Sequence, residues 1–420
     1  MFNGVAPDFL ESTDIILAMV LMALLVSRGH FKADSLQWWT RATRLVRSSG
    51  LCMEDKDLRT ESQAQVDAQE DMLDRARIIS KEERRRLFWL VYCLDRHLAL
   101  SFNSALHFPD GTFCVAVPLS ETLWRSLETV ELNTITLPSP SLGPLQTING
   151  LGFFECFVPL ATVLGHIIEF HHFHSNPLLG KCVPTTAVEE IERLLSQRQQ
   201  DLAALQQALE NPQSTGNTAT DQTPGHLSFM YSSCMLHVLY ILLHGKWDLI
   251  SMMDNEDGWI PSEPFQICLS HAFFAVACIH QILNLDPELT FLPYMFSIYL
   301  LQTSFIMLIF MDRMSELGVD ESVEEVCEVI IRAHEVSIMI LDCAFQVQFY
   351  FPFLFTKTQK ANPGRKTSER CSDPCYANPG MRRKVTISRV PTEHNGGRCC
   401  HSTAGPGIRG EWQVDWVSAC

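Results

Sequence analysis

Apolar residues recur at helical spacing along most of the chain, and no convincing run of alternating polar and apolar residues marks a strand. Ser12, Thr13 and Asp14 stand as an N-cap before the apolar run 15–26, and Gly29 ends that helix. A second helix starts near Asp34, sets Leu36, Trp39, Thr43 and Val46 on one stripe, and stops at Ser48, Ser49 and Gly50. Residues 54–76 are polar and read as a loop or an exposed helix. Residues 81–100 form a strong helix, 114–118 are extended, and 121–127 make a short helical turn around Trp124. The stretch 134–147, rich in Pro, Ser, Thr and Gly, is a loop.

The pattern continues with an apolar helix over 151–172, kinked before Pro159. Residues 186–210 are amphipathic, with Val188, Ile191, Leu195, Leu202, Leu205 and Leu209 in a stripe that Arg198 interrupts, and with Glu189 and Arg193 one turn apart on the surface. Packing on the core is the expected use of this stripe; a coiled-coil seam serving a homodimer is the alternative, with only about three heptads to build it. After a flexible polar segment at 211–225, four helix-length runs follow at 226–243, 265–283, 289–314 and 321–341. The expectation is an all-α fold, a two-lobed irregular helical bundle over 1–345 with sub-lobes 1–133 and 150–345, followed by a low-order basic tail at 346–420.

Composition adds three constraints. With 46% hydrophobic and 19% charged residues, the 420-residue chain can bury a sizeable core. Its net charge of −16 argues against a nonspecific nucleic-acid surface. The charge is uneven: residues 357–420 carry eleven Lys and Arg against five Asp and Glu. Ten of the fifteen cysteines stand singly before residue 357, most of them in apolar stretches, and act as small hydrophobes in a reducing compartment. No secretory signal is read at Met1, since Asp8, Glu11 and Asp14 interrupt the start. The run 291–311 is uncharged and long enough to span a bilayer, but Pro293, Ser297, Gln302, Thr303 and Ser304 favour a core helix over a membrane helix.

The densest chemistry lies in residues 81–110, KEERRRLFWLVYCLDRHLALSFNSALHFPD. Arg85, Trp89, Tyr92 and Arg96 follow at offsets of four, three and four and line one side of a helix, while Asp95 points about a third of a turn away from Arg96. Cations among large aromatics imply a partly buried network in which Arg stacks on rings and binds a carboxylate, either to pin helices together or to contact a ligand. The string Glu83-Arg84-Arg85-Arg86, Phe88-Trp89, Tyr92 and Asp95-Arg96 resembles the signature of the fungal-specific transcription factor domain, the middle regulatory region of zinc-cluster activators. Ser27-Arg28-Gly29, Trp38-Trp39, Gly50-Leu51, Val117-Pro118-Leu119 with Glu121 and Trp124, residues 291–308, and Ile331-Arg332-Ala333-His334-Glu335 are similar to the same family, most nearly to its xylanolytic activators. The likeness spans about residues 10–345.

That resemblance implies an all-helical, non-enzymatic regulatory domain in the nucleus. Its partners would be the transcription machinery or co-regulator proteins and a small-molecule inducer, with no membrane. DNA would be reached only through the family's six-cysteine cluster, where zinc is expected; the cysteine pairs two residues apart that such a cluster needs do not precede this domain. No cofactor is expected on these residues. Where the family commonly places Arg-Pro after Asn103, this chain has Ser104-Ala105, which predicts a less rigid turn.

Other chemistry fares worse. Cys371, Cys375, Cys399, Cys400 and His401 have poor zinc spacing and read as free thiols. His166, His171, His172 and His174 read as a solvated helix end rather than a metal site. Asp254, Glu256 and Asp257 are the nearest match to the magnesium-binding clusters of all-helical terpene cyclases, but no convincing second cluster accompanies them.

Overall fold

The computed structural model describes residues 7–26, 32–54, 68–127, 138–178, 180, 186–210, 222–247, 249–253, 258–260, 262–290, 296–314 and 321–341. Among these residues the only regular elements are α-helices, with two isolated bridges, Met53 to Cys114 and Ala116 to Leu142. Residues 1–363 cluster as one unit, and 364–420, a separate unit, lie outside the described residues. The tail cysteines with His401 lie there too, as do Asp254, Glu256 and Asp257 at their own position in the chain.

The first helix, α1 (Pro7–Val26), begins at a proline, whose missing N–H costs nothing in a first helical turn. Ser12, Thr13 and Asp14 therefore fall inside the helix and do not cap it. Ile16, Val20 and Ala23 are its buried stripe, packed on α2 (Lys32–Ser48), whose Trp39, Ala42 and Val46 are buried in turn. Ser35 Oγ donates to the Ala23 carbonyl at 2.8 Å and ties the pair. Gly50, at φ +69°, makes the left-handed turn that ends this unit.

Next comes α3 (Ala68–Phe102), which starts thirteen residues before the expected helix, so part of the polar stretch is its exposed N-terminal portion. From Val91 to Leu100 every residue is buried. Such all-round burial marks a central helix. After α4 (Glu121–Ser126), α5 (Phe153–His174) crosses α3 and carries Pro159 within its run. On α6 (Thr186–Glu210), Ile191, Leu195 and Leu202 are buried, and the helix packs on α5 and on α7 (Gln222–His244). The stripe thus packs on other helices of the chain, with Val188, Leu205 and Leu209 partly buried. Arg193 pairs with Glu190 at 2.5 Å and not with Glu189, because the i,i+3 geometry lets both guanidinium edges meet one carboxylate. Arg198 sits within the buried stripe, its Nε 3.7 Å from Asp201.

The chain continues through α8 (Leu249–Met253), α9 (Glu263–Leu285), α10 (Phe296–Met314) and α11 (Glu321–Leu341). α7 packs along α9, and α10 and α11 pack on α9 and on each other. α10 starts later than position 289, where Leu289 turns the backbone at φ +48°. One apolar cluster runs from Ile16 to Ala333. Burial pushes the thiols of Cys93, Cys156, Cys268 and Cys278 up to about 12, consistent with cysteines that pack and do not react.

Four helical stretches are long and apolar enough to cross a membrane: Phe153–His174, Gly225–His244, Glu263–Leu285 and Phe296–Arg313. In three of them, 67%, 83% and 72% of the most apolar window is buried inside the protein, so those surfaces already have protein neighbours. Gln302, Thr303 and Ser304 are buried, and Ser304 Oγ lies 2.7 Å from His334 Nε2 of α11. A polar helix-to-helix link of this kind is how a core helix accommodates hydroxyls.

Candidate functional site

The side of α3 that carries the aromatic and arginine stripe faces an irregular segment, residues 103–121, which runs back along the helix. The stripe residues engage it at two places, around Asp110 and around Ala116. Arg96 Nη2 donates to the Phe108 carbonyl (2.8 Å) and to Asp110 Oδ1 (2.9 Å). Tyr92 donates to Asp110 Oδ1 (2.8 Å) and lies 3.2 Å from Thr162 Oγ1 of α5. Trp89 Nε1 donates to the Ala116 carbonyl (2.8 Å). Arg85 binds Glu54, whose other oxygen accepts the Ala116 N–H at 2.9 Å. Arg86, one residue round the helix, spans Glu82 and Glu121 at 3.0 Å each and donates to the Leu119 carbonyl. Irregular backbone has no ladder to satisfy its polar groups, so side chains of α3 do it.

Stacking follows the same division. Arg96 lies 3.4 Å from the Tyr92 ring centroid, and Arg86 lies over Trp124 at 4.7 Å and Phe154 at 5.4 Å. Trp89 packs edge-on against Tyr92, Phe88 and Phe113 and has no arginine over it. Arg84 is half-buried on the same turn.

Asp95 works on the turn itself. Its carboxylate accepts the N–H groups of His107 (2.9 Å) and Phe108 (2.9 Å), and its Oδ1 lies 3.1 Å from His107 Nδ1. Arg96 Nη1 touches the same carboxylate at 3.4 Å, despite the different directions of the two side chains. Asn103 turns the chain at φ +49°, and Ser104 N–H returns to the Ala99 carbonyl at 3.0 Å. Where Arg-Pro would stand, Ser104-Ala105 leads into backbone whose His107 and Phe108 N–H groups rest on the buried Asp95 carboxylate.

Glu82 is fully buried, and desolvation raises its carboxyl above the ordinary value against the lowering pull of the Leu119 N–H, Arg86 and Arg85. Tyr92 is raised far more, chiefly by burial. Among the described residues the Arg96 Nε has no hydrogen-bond partner, and a Cβ added to Gly165 of α5 would come within 3.3 Å of it. That glycine gives α3 and α5 their close approach. Gly165→Val is therefore expected to cost about 1–3 kcal/mol through forced displacement of Arg96, measured by urea unfolding.

Spacing singled out Arg85, Trp89, Tyr92 and Arg96, and the family resemblance added Arg84, Arg86 and Asp95; the structure brings six of these seven to this one junction, and Arg84 is half-buried beside it. Sequence reasoning missed their partners Glu54, Glu82, Asp110 and Thr162. Asp110 alone left a trace, a lone acid between Pro109 and Gly111 in a turn. The four histidines do not converge: His166 lies 4.0 Å from Asp110, His171 stacks on Trp247 at 3.9 Å, and His174 stacks on Phe170. Among the described residues no group of three His, Cys, Asp or Glu is arranged to hold a metal. What the arrangement does is hold a long irregular strap on the central helix.

Residues 12–155, which include α3 and the 103–121 strap, match the fungal specific transcription factor domain. The chain is 30% identical over 396 residues to the xylanolytic transcriptional activator xlnR of Aspergillus clavatus, covering 80% of this chain and 40% of the relative. It is also 30% identical over 394 residues to xlnR of Aspergillus niger and over 389 residues to xlnR of Emericella nidulans, again covering 80% of this chain and 41% and 42% of the relatives. The chain thus spans about two fifths of the length of these curated relatives. No solved structure matches it. By these matches, residues 12–155 are similar to the fungal-specific transcription factor domain, and the chain is similar to the xylanolytic transcriptional activators.

Proposed function

We propose that this chain is the regulatory portion of a fungal zinc-cluster transcription factor that acts in the nucleus on RNA polymerase II transcription, with carbohydrate-utilisation genes as its targets. The observation that carries the reading is the 30% identity sustained over 80% of the chain to proteins named as xylanolytic transcriptional activators. The junction on α3 suggests the mechanism. A small-molecule inducer or a co-regulator protein that prefers one arrangement of the 103–121 strap shifts the population of the domain, which takes only a few kcal/mol of differential binding. In this reading the 420 residues catalyse nothing and need no metal, and DNA is reached through a six-cysteine zinc cluster that they do not contain.

Fusion of residues 1–420 between a heterologous DNA-binding domain and an activation domain, in a fungal host carrying a matching reporter, tests this. Reporter output is expected to rise severalfold on adding xylose or xylan fragments and to lose that response in Asp95→Asn. Output indifferent to the sugar, or an identical response in the variant, would contradict the sensing role. The length and apolar character of the helix Phe296–Arg313, which takes up most of the 291–311 run, support one alternative, a membrane-anchored protein. Recovery of the chain in the salt- and carbonate-resistant membrane fraction would establish that reading instead.

A further inference from the structure

Ser-Pro occurs once in the sequence, at Ser139-Pro140, and Thr-Pro once, at Thr223-Pro224. Thr223-Pro224 lies in the first turn of α7. Ser139-Pro140 lies in the irregular run 138–142, Pro-Ser-Pro-Ser-Leu, where every residue is exposed. Pro138 and Pro140 fix their own φ, and Pro140 keeps Ser139 out of the helical region, so this run is held extended by its own sequence. The Ser139 hydroxyl has no hydrogen-bond partner among the described residues.

This run leads directly into the outer edge of the strap. Val117 N–H donates to the Ser141 carbonyl at 2.8 Å, and Gly143 N–H donates to the Val115 carbonyl at 3.0 Å. The two segments meet antiparallel at Ala116 and Leu142. Ala116 is itself fixed from the other side, by Trp89 on its carbonyl and Glu54 on its N–H. The backbone just after Ser139 is therefore paired to the strap, while Ser139 and Pro140 are not.

We propose that Ser139 is the phosphate acceptor of a proline-directed protein kinase, and that the pairing of 141–143 with 115–117 sets how fast it is modified. A kinase cleft takes its substrate as an extended, accessible segment, which Ser139 offers and the helical Thr223 does not. A proline after the acceptor is selected through its fixed φ and missing N–H. In the transfer, Ser139 Oγ attacks the γ-phosphorus of magnesium-bound ATP. The new O–P bond forms as the bond to the β,γ-bridging oxygen breaks; ADP leaves with that electron pair, and the hydroxyl proton passes to the kinase's catalytic carboxylate. To lie along the cleft, residues 141–143 must leave the strap, so opening of that edge precedes modification. The product carries a charge of about −1.5 to −2 beside the strap's outer edge. None of this depends on the sugar response proposed above.

The test uses the full chain, a proline-directed kinase of the mitogen-activated class with magnesium ATP, and a synthetic peptide of residues 135–147. Mass spectrometry of the digested chain is expected to place one phosphoryl group on Ser139, with none in Ser139→Ala and incorporation at least about tenfold slower in Pro140→Ala. The free peptide, which has no strap to leave, is expected to react severalfold faster than the chain. Gly143→Val puts a β-branched residue at φ +91°, with nothing within 4 Å of its Cβ, so it acts on the backbone alone. It is expected to speed modification of the chain about fivefold or more at unchanged circular dichroism, and to leave the rate of the peptide unchanged. No incorporation in the chain, phosphate at another residue instead, indifference to Pro140, or a Gly143→Val chain modified no faster than the wild type overturns the proposal.

Discussion

Replacing Arg96 by alanine is expected to lower the unfolding free energy by about 3–5 kcal/mol, the usual cost of removing one partner from a buried ion pair. Arg96 is fully buried, and Asp95 beside it is 1% exposed. Without the guanidinium, Asp95 and Asp110 face each other's charge across the turn, the Phe108 carbonyl loses its donor, and Tyr92 loses the cation on its ring. Arg96→Lys keeps the charge but cannot reach the Phe108 carbonyl, Asp110 and the Tyr92 ring together, so about half the loss is expected. Urea unfolding of the full chain measures both. A change below about 0.5 kcal/mol in Arg96→Ala, as for an unremarkable surface substitution, would refute the junction as described.

Acid should destabilise the domain well above the range in which carboxylates titrate. Burial lowers His97 and His237 to about 3, and His334 and His271 to about 4; the neighbouring His271 lowers His237 further, and His244 lowers His271 further. Unfolded imidazoles bind a proton below about pH 6.5, while these refuse it until pH 3–4. The unfolded state therefore binds more protons throughout that window, and stability falls as pH drops from about 6.5 toward 4. Each such group costs about 1.4 kcal/mol per pH unit, so the two most deeply buried, His97 and His334, together cost about 5 kcal/mol by pH 4.5. That approaches the whole stability of an ordinary domain. Glu82, whose carboxyl is raised by burial, acts in the opposite sense. Urea midpoints at pH 7.5, 6.5, 5.5 and 4.5 should fall progressively below 6.5, and His334→Gln, which keeps a partner for Ser304, should flatten the slope by about one proton. A midpoint constant from 6.5 to 4.5 would mean these imidazoles are not buried neutral.

The helices were legible because helical burial repeats every three to four residues, and residues 321–341 were bounded to the residue. So was the stripe on α3, because Arg85, Trp89, Tyr92 and Arg96 share a face by spacing alone. What the stripe touches was not legible. Glu54 lies 31 residues before Arg85, and Thr162 lies 70 residues after Tyr92; such pairings are set by how α3, α5 and the strap pack, and no local pattern encodes them. The cap at residues 12–14 failed for a related reason: polar residues that suit an N-cap are tolerated inside a helix once Pro7 opens it earlier. Arg198 illustrates the converse, since a charge interrupting an apolar stripe reads as surface yet is 97% buried at the α6 interface, where its aliphatic stem packs and Asp201 lies close.

Asp95 holds the strap to α3, and amide hydrogen exchange at His107 and Phe108 probes that hold most directly. Both N–H groups donate to one buried carboxylate. Protection approaching that of the Val91–Leu100 helix is expected in the wild type, and its selective loss in Asp95→Asn. Exchange of these two amides at the rate of an open loop in the wild type would contradict it.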